Sequence, residues 1–472
     1  MIYSTPKLLA LSLILGLTGC SQMPSYEKPQ TDLPQTIGEI QQAPGLVIPA
    51  TEQAWWLQFD DANLQVLLDK ALERNADFNI AQQHLFQARA ALTQGRAERL
   101  PSLQVQGGLG RQQTSDNAFP QGQGAEFSSY NLDGLISYEV DFWGRVHSNQ
   151  VRLNAEYEAM QSDTEALRLS VTSAVATRYF NLRALDQMVS IARNTVSSRQ
   201  QNLQLRQRQY ELGRLTQLAV QQAEVELTRV EIELINLEQQ RDVQRHALSL
   251  LVGDTPAQMV KASQAEAGND EFTNTEIPAL HSDLASELLM RRPDIQAAEQ
   301  RLIAANANIG VARAALFPKL SLNGLIGVNS DSLDNLFDGD SSRWQVQAGL
   351  TAPIFNAGSL RAQVQISEAE QQIMLNQYQQ TLRQAFAEAL DALNMHKRSA
   401  RQLDVQKRQV VALRSTLDLA QKRFDSGYSS YLEVLDAQRT LFDAEVAMVA
   451  TKRNYLNASI ELYKALGGHW QA

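Results

Sequence analysis

One helical turn-back occurs twice in this chain of 472 residues, and the duplication restricts its possible folds more than any other feature. Residues 201 to 227 read QNLQLRQRQYELGRLTQLAVQQAEVEL, and residues 415 to 441 read STLDLAQKRFDSGYSSYLEVLDAQRTL. With Gly213 placed on Gly427 the copies register without a gap. Leu203 falls on Leu417, Tyr210 on Phe424, Leu218 on Leu432, Ala223 on Ala437 and Leu227 on Leu441. Each copy is an apolar-periodic run that stops at a glycine, crosses a few polar residues and resumes, as two antiparallel helices do when joined by a short loop. Gly213 and Gly427 are the natural positive-φ residues of the two tips.

The period is close to seven. Leu435, Phe442, Val449, Leu456 and Tyr463 recur every seventh residue, and so do Val434, Leu441, Met448, Tyr455 and Leu462. A sustained seven-residue repeat imposes left-handed supercoiling. One hairpin alone fits a two-stranded coiled coil, but two adjacent seams on one helix mean partners on two sides.

The duplication extends well beyond the hairpins. Residues 67 to 110 lie on residues 284 to 327 at a shift of 284 − 67 = 217, with Asp77 on Asp294, Arg96 on Arg313, Pro101 on Pro318 and Gly110 on Gly327. The hairpins align at 427 − 213 = 214, and the difference is absorbed at the Phe142 to Arg145 and Phe355 to Gly358 corners. One domain of two like halves is therefore expected. The first half is read as helices at 61–75 and 77–99, strands at 102–112 and 128–142, then helices at 145–209 and 216–252. The second is read as helices at 280–291 and 294–316, strands at 319–329 and 343–355, then helices at 358–423 and 430–466. Pro101 and Pro318 suit a switch from helix to strand. The lengths suggest long helices running beside end-to-end stacked pairs of shorter ones.

The start of the chain reads as a targeting segment. Residues 1–19 carry one lysine and a short apolar core, and Leu17-Thr18-Gly19-Cys20 resembles the lipobox of bacterial lipoproteins. That resemblance implies cleavage before Cys20, the only cysteine, and an N-acyl and S-diacylglycerol lipid on it; Ser21 after it points to the outer membrane of a Gram-negative bacterium. Residues 20–54, with five prolines after the cysteine, read as an extended tether. The parts in order are the signal peptide 1–19, the acylated tether 20–54, the first repeat 55–253, a connecting segment 254–277, the second repeat 278–468 and a tail 469–472. The formal charge of −10 argues against a nucleic-acid partner. No stretch outside the targeting segment is apolar and long enough for a spanning helix, so a membrane crossing has to be made of strands.

The strands have that character. In residues 130–142 the even positions Tyr130, Leu132, Ile136, Tyr138, Val140 and Phe142 are apolar, while the odd positions include Asn131, Asp133, Ser137, Glu139 and Asp141. Residues 320–328 and 344–354 alternate likewise. A half-buried soluble sheet shows the same pattern, but the lipoprotein signal and the acids Asp133, Glu139 and Asp141, read as facing a wet lumen, favour an outer-membrane barrel. Four strands cannot close a barrel, so several chains share one: eight strands need two chains and twelve need three.

Residues 291 to 327, RRPDIQAAEQRLIAANANIGVARAALFPKLSLNGLIG, resemble the signature stretch of the outer membrane factor family, the TolC-like and especially OprM/NodT-type efflux lipoproteins. The WW..FDDANL stretch at Trp55 to Leu64 agrees. The resemblance implies a mainly α protein with a membrane β-barrel: a homotrimer with a twelve-stranded β-barrel and a twelve-helix α-barrel. It implies a periplasmic membrane-fusion adaptor and an inner-membrane pump, most often of the RND class, as partners. By position it puts Leu432 at an apolar constriction and Asp436 in an acidic ring at the periplasmic end. Arg214, Glu224, Asp425, Tyr428, Tyr431 and Glu433 become candidates for the locks between helices. Ala219 stands where some relatives carry an acid, so this lock pattern is incomplete.

The six histidines show no zinc spacing, the methionines are dispersed, and neither a P-loop nor a Ser/His/Asp set is present, so no catalytic role is expected. His396 falls in an apolar seam and reads as a packed histidine. The expected function is a passive efflux duct gated at its helix tips. The alternative is a lipid-anchored periplasmic coiled-coil scaffold without a conduit.

Overall fold

The computed structural model describes residues 21–30, 34, 36–37, 55–115, 126–263, 272 and 284–468. The expected signal segment, Cys20, most of the tether, much of the connecting segment and the tail 469–472 lie outside the described residues. The elements, in order, are α1 (Ala62–Arg74), α2 (Ala76–Ala97), β1 (Ser102–Gln113), β2 (Glu126–Val140), α3 (Arg145–Glu211) and α4 (Gln217–Leu251). They continue with α5 (Pro256–Ser263), α6 (Pro293–Ala314), β3 (Lys319–Ser330), β4 (Ser342–Thr351), α7 (Ser359–Asp425) and α8 (Tyr431–Ala465). The duplication is retained in the lengths, since α3 and α7 both have 67 residues, α2 and α6 both 22, and α4 and α8 both 35. Two expectations change. Of the helix read at 280–291, the described residues form a two-residue strand, Leu284–Ala285, and a 3-10 stretch, Ser286–Arg291, and Pro293 keeps Arg292 out of the helix that follows. The connecting segment contains the short helix α5. Among the described residues no helix is long and apolar enough to cross a membrane.

The described residues form two compact units, one drawn from Met1–Gln30, His84–Gln161 and Ala297–Gln379, the other from Thr31–Gln83, Ser162–Gln296 and Gln380–Ala472. The units cut across the repeat, and each takes segments from both halves.

The first unit holds a four-stranded antiparallel sheet in the order β1-β2-β3-β4. Register sorts its faces. Leu103, Ile136, Gly324 and Val346 share one rung, and Val105, Gly134, Ile326 and Trp344 another on the same face. Val105, Trp344 and Val346 are 75%, 78% and 78% exposed, so this apolar face is uncovered in the single chain. The opposite face carries the rung Ser102, Ser137, Asn323, Gln347 and the rung Gln106, Asp133, Gly327, Arg343. On the second of these Arg343 reaches across Gly327 to Asp133, donating from Nε to Oδ1 at 2.9 Å. A Cβ at Gly327 would strike the Leu132 carbonyl and the Asp133 carboxylate, so the bridge requires glycine.

The three acids expected to face a lumen are all engaged. Asp133 is buried and paired with Arg343, Glu139 accepts from Arg145 at 2.8 Å, and Asp141 accepts from the Val146 and His147 backbone N–H groups at 3.0 and 2.8 Å, capping α3. Trp143 stacks on Phe317 at 4.5 Å and donates to the Pro318 carbonyl at 2.9 Å. Residues 21–30 of the expected extended tether have no helix or strand and lie against α6. The Asn306 amide donates to the Pro24 carbonyl at 2.9 Å, Lys28 pairs with Glu299 at 2.7 Å, and a Cβ at Gly310 would lie 2.8 Å from the Met23 Cα.

The second unit is organised by one joint made twice. Asn75, just before α2, donates to the Leu251 carbonyl at the end of α4 at 2.9 Å. Arg292, at the equivalent place before α6, donates to the Ala465 carbonyl at the end of α8 at 3.0 Å, and holds Asp294 and Glu388 at 2.8 and 2.7 Å. Gly253 and Gly467 follow those helix ends with φ of 73° and 87°, and a Cβ on Gly253 would lie 2.6 Å from the Arg74 carbonyl oxygen. The returning helices therefore end against the helix starts, as stacking requires. Beside the second joint Trp55 stacks on Tyr463 at 5.8 Å, with Phe59 against Phe180 at 5.2 Å. Asp61 caps α1 through the Asn63 and Leu64 N–H groups and accepts from the Tyr179 hydroxyl at 2.8 Å. This accounts for the Trp55 to Leu64 stretch.

Candidate functional site at the helix tips

Both hairpins turn by the same device. Gly213 and Gly427 have φ of 67° and 78°. At the first tip Gly213 N–H bonds the Tyr210 carbonyl and Arg214 N–H the Gln209 carbonyl, both at 2.8 Å. At the second, Gly427 bonds Phe424 and Tyr428 bonds Arg423, both at 2.9 Å. This is the left-handed helix end that glycine adopts most easily. Nothing lies within 4 Å of a Cβ at either glycine, so φ and not space selects the residue.

Behind the second tip Tyr431, Val434, Leu435, Ala437 and Ala420 are buried together, with Leu417 and Phe424 against them. Arg206 of α3 enters this cluster and joins the first hairpin to the second. It is 4% exposed, with its guanidinium 4.3 Å from the Tyr431 ring centroid and 4.9 Å from that of Phe424. Its Nε donates to Asn202 Oδ1 at 3.2 Å, and the Asn202 amide donates to the Tyr431 hydroxyl at 2.7 Å. A desolvated cation over aromatic rings is worth about 2 kcal/mol.

Of the candidate locks, Tyr431 lies in this link. Glu224 accepts from Gln221 at 3.4 Å and Asp425 from Gln421 at 2.9 Å, each within its own helix. Among the described residues Arg214, Tyr428 and Glu433 are exposed with no side-chain partner in the chain. Asp436 is exposed and holds Arg439 at 2.6 Å. Leu432 is 57% exposed, and its counterpart in the first hairpin, Leu218, 66%. Leu218, Leu432 and Asp436 border one open groove of about 460 Å³ between α4 and α8. Arg206, Asn202 and Phe424 were not among the sequence candidates. Periodicity marks Phe424 as a seam residue, but nothing local marks its partner more than 200 residues away.

Doubled helical hairpins joined to a sheet with one uncovered apolar face define the class of outer-membrane channel proteins. The chain belongs to the outer membrane efflux protein family, whose model matches residues 67–254 and 284–468. It is 32% identical over 473 residues to the solvent efflux pump outer membrane protein SrpC of Pseudomonas putida, covering 98% of each chain. It is 34% identical over 469 residues to the cation efflux system protein CusC of Escherichia coli O157:H7, covering 98% of this chain and 99% of the relative. Among solved structures, the CmeC outer membrane channel of Campylobacter jejuni matches with a TM-score of 0.87 at 26% identity over 96% of each chain. A CusC crystal structure matches with a TM-score of 0.82 at 30% identity, over 95% of this chain and 100% of that one. The protein is an outer-membrane component of an efflux pump.

Proposed function

We propose that three copies of this chain close a twelve-stranded β-barrel in the outer membrane and a twelve-helix tunnel below it, forming a passive duct. The duct receives cargo from a periplasmic adaptor and an inner-membrane pump, most often of the RND class, and is closed at the helix tips until the adaptor engages them. Lipidation at Cys20 anchors each copy. The supporting observation is the sheet: β1 and β4 are open edges, and one face is apolar and exposed from edge to edge. Unpaired edges are intolerable in lipid, and so large an apolar face is intolerable in water. Pairing β4 of one copy with β1 of the next removes the edges, and lipid covers the face.

At the tips, three Leu432 side chains around an axis make a water-poor constriction, and three Asp436 carboxylates an acidic ring that attracts cations once Arg439 turns away from it. The relatives' names refer to solvents, toluene, antibiotics and cations, which fits small toxic compounds selected by the pump and not by the duct. Replacing residues 1–20 by a cleavable signal peptide that leaves no cysteine to acylate separates this reading from the scaffold alternative. The variant should stay in the outer membrane through a high-salt, alkaline wash and be extracted by detergent as a complex of three chains. Release by the wash as a soluble protein would favour the scaffold.

A further inference from the structure

A cavity of about 460 Å³ opens between α3, α7 and α8 in the second unit, within the size range of small-molecule sites, roughly 300–1,000 Å³. Its walls are of two kinds. Leu417, Leu441, Phe442 and Met448 make an apolar floor. Arg199 and Gln438 bring polar groups that the protein leaves unsatisfied: Arg199 is 6% exposed, and its Nε and the Gln438 Oε1 are buried with no hydrogen-bond partner. The other charged pair on the wall, Arg414 with Glu445 at 2.8 Å, neutralises itself. Glu226 and Arg229 act on Arg199 through space with opposite sign, and Arg229 is occupied by Asp443 at 3.1 Å. The cavity therefore carries a guanidinium that Glu226 balances only through space, with no carboxylate hydrogen-bonded to it, above a hydrocarbon surface. A buried cation without a partner is costly, and such groups are usually satisfied by something.

We propose that this cavity is a binding site for an amphipathic organic anion. The anionic head sits on Arg199, and the hydrocarbon part covers Leu417, Leu441, Phe442 and Met448. A half-turn of the Gln438 amide presents its NH2 group to the same head without backbone movement. A guanidinium suits a carboxylate because it offers paired donors in one plane. The site spans α3 of the first hairpin and α7 and α8 of the second, so an occupant touches both.

Calorimetric titration of the full-length protein in neutral detergent with decanoate, below its micelle concentration, tests the site. The expected result is saturable binding of one decanoate per chain, with decanol bound at least about tenfold more weakly. Arg199→Met, which keeps the stem and removes the charge, should weaken decanoate binding at least about tenfold with the oligomer intact. Leu441→Trp, which fills the floor and spares the charge, should abolish it. Equal binding of decanol, or full binding by Arg199→Met, overturns the proposal. So does a wild type that takes no decanoate and loses its oligomer on Arg199→Met, which would make the cavity an interface between copies.

Discussion

Arg206 lies 4.3 Å from the ring of Tyr431, and through that contact the first hairpin holds the second just behind their tips. The link is buried and bridged by Asn202, which accepts from Arg206 and donates to Tyr431, yet it rests on these two side chains of the first hairpin. Such a contact is strong enough to bias a closed state and weak enough for a partner to undo.

Arg206→Met keeps the stem and removes the cation. The expected loss of about 2 kcal/mol shifts the balance of closed and open tips by about 30-fold. Cells carrying the variant should become more sensitive to large antibiotics that otherwise fail to cross the outer membrane, with the amount of protein unchanged. Unchanged sensitivity would place the closing contacts elsewhere.

Arg343→Ala leaves the buried Asp133 carboxylate without its partner across three strands. A cost of about 1–3 kcal/mol per copy is expected, read as a lower temperature at which the detergent-solubilised oligomer dissociates. Gly327→Ala should have the same effect by another route, because its Cβ would occupy the space the bridge needs. Tyr428→Ala, at an exposed tip residue, is the control that should leave that temperature unchanged.

His396 packs on Tyr455 at 5.0 Å between ring centroids and is buried, with Nε2 unpaired. Burial first, and Lys397 second, hold it below the ordinary histidine pKa of 6.5. The unfolded chain therefore takes up this proton at a higher pH than the folded one. Stability that is complete above about pH 6.5 is lost as pH falls toward the folded value, by at most about 1.4 kcal/mol per pH unit. His396→Phe should flatten the dependence of melting temperature on pH between about 5 and 6.5. An unchanged slope would assign that dependence to other groups.

The tips were legible in the sequence because their determinant is local: a glycine with a required φ, flanked by seven-residue periodicity. The strand positions were legible to within a few residues for a similar reason, since alternation is read along one segment. What pairs with what was not. Asp133 reads as a free acid on the polar face, because Arg343 is 210 residues away and only the β2-β3-β4 register brings them onto one rung. Asp141 reads as a strand acid by parity, although Gly144 after it was a local sign of the corner at which a helix starts. The segment 21–30 lacks periodicity and so reads as a tether. Its fit depends on the missing side chain of Gly310 on another element.

The central claim is that the chain forms a conduit closed at its tips, and the direct test is single-channel conductance of the purified protein in a planar bilayer. Wild type should give small, flickering currents, and Leu432→Ala combined with Asp436→Ala should give larger, steady ones. No conductance from either, with the oligomer correctly assembled, would contradict the account.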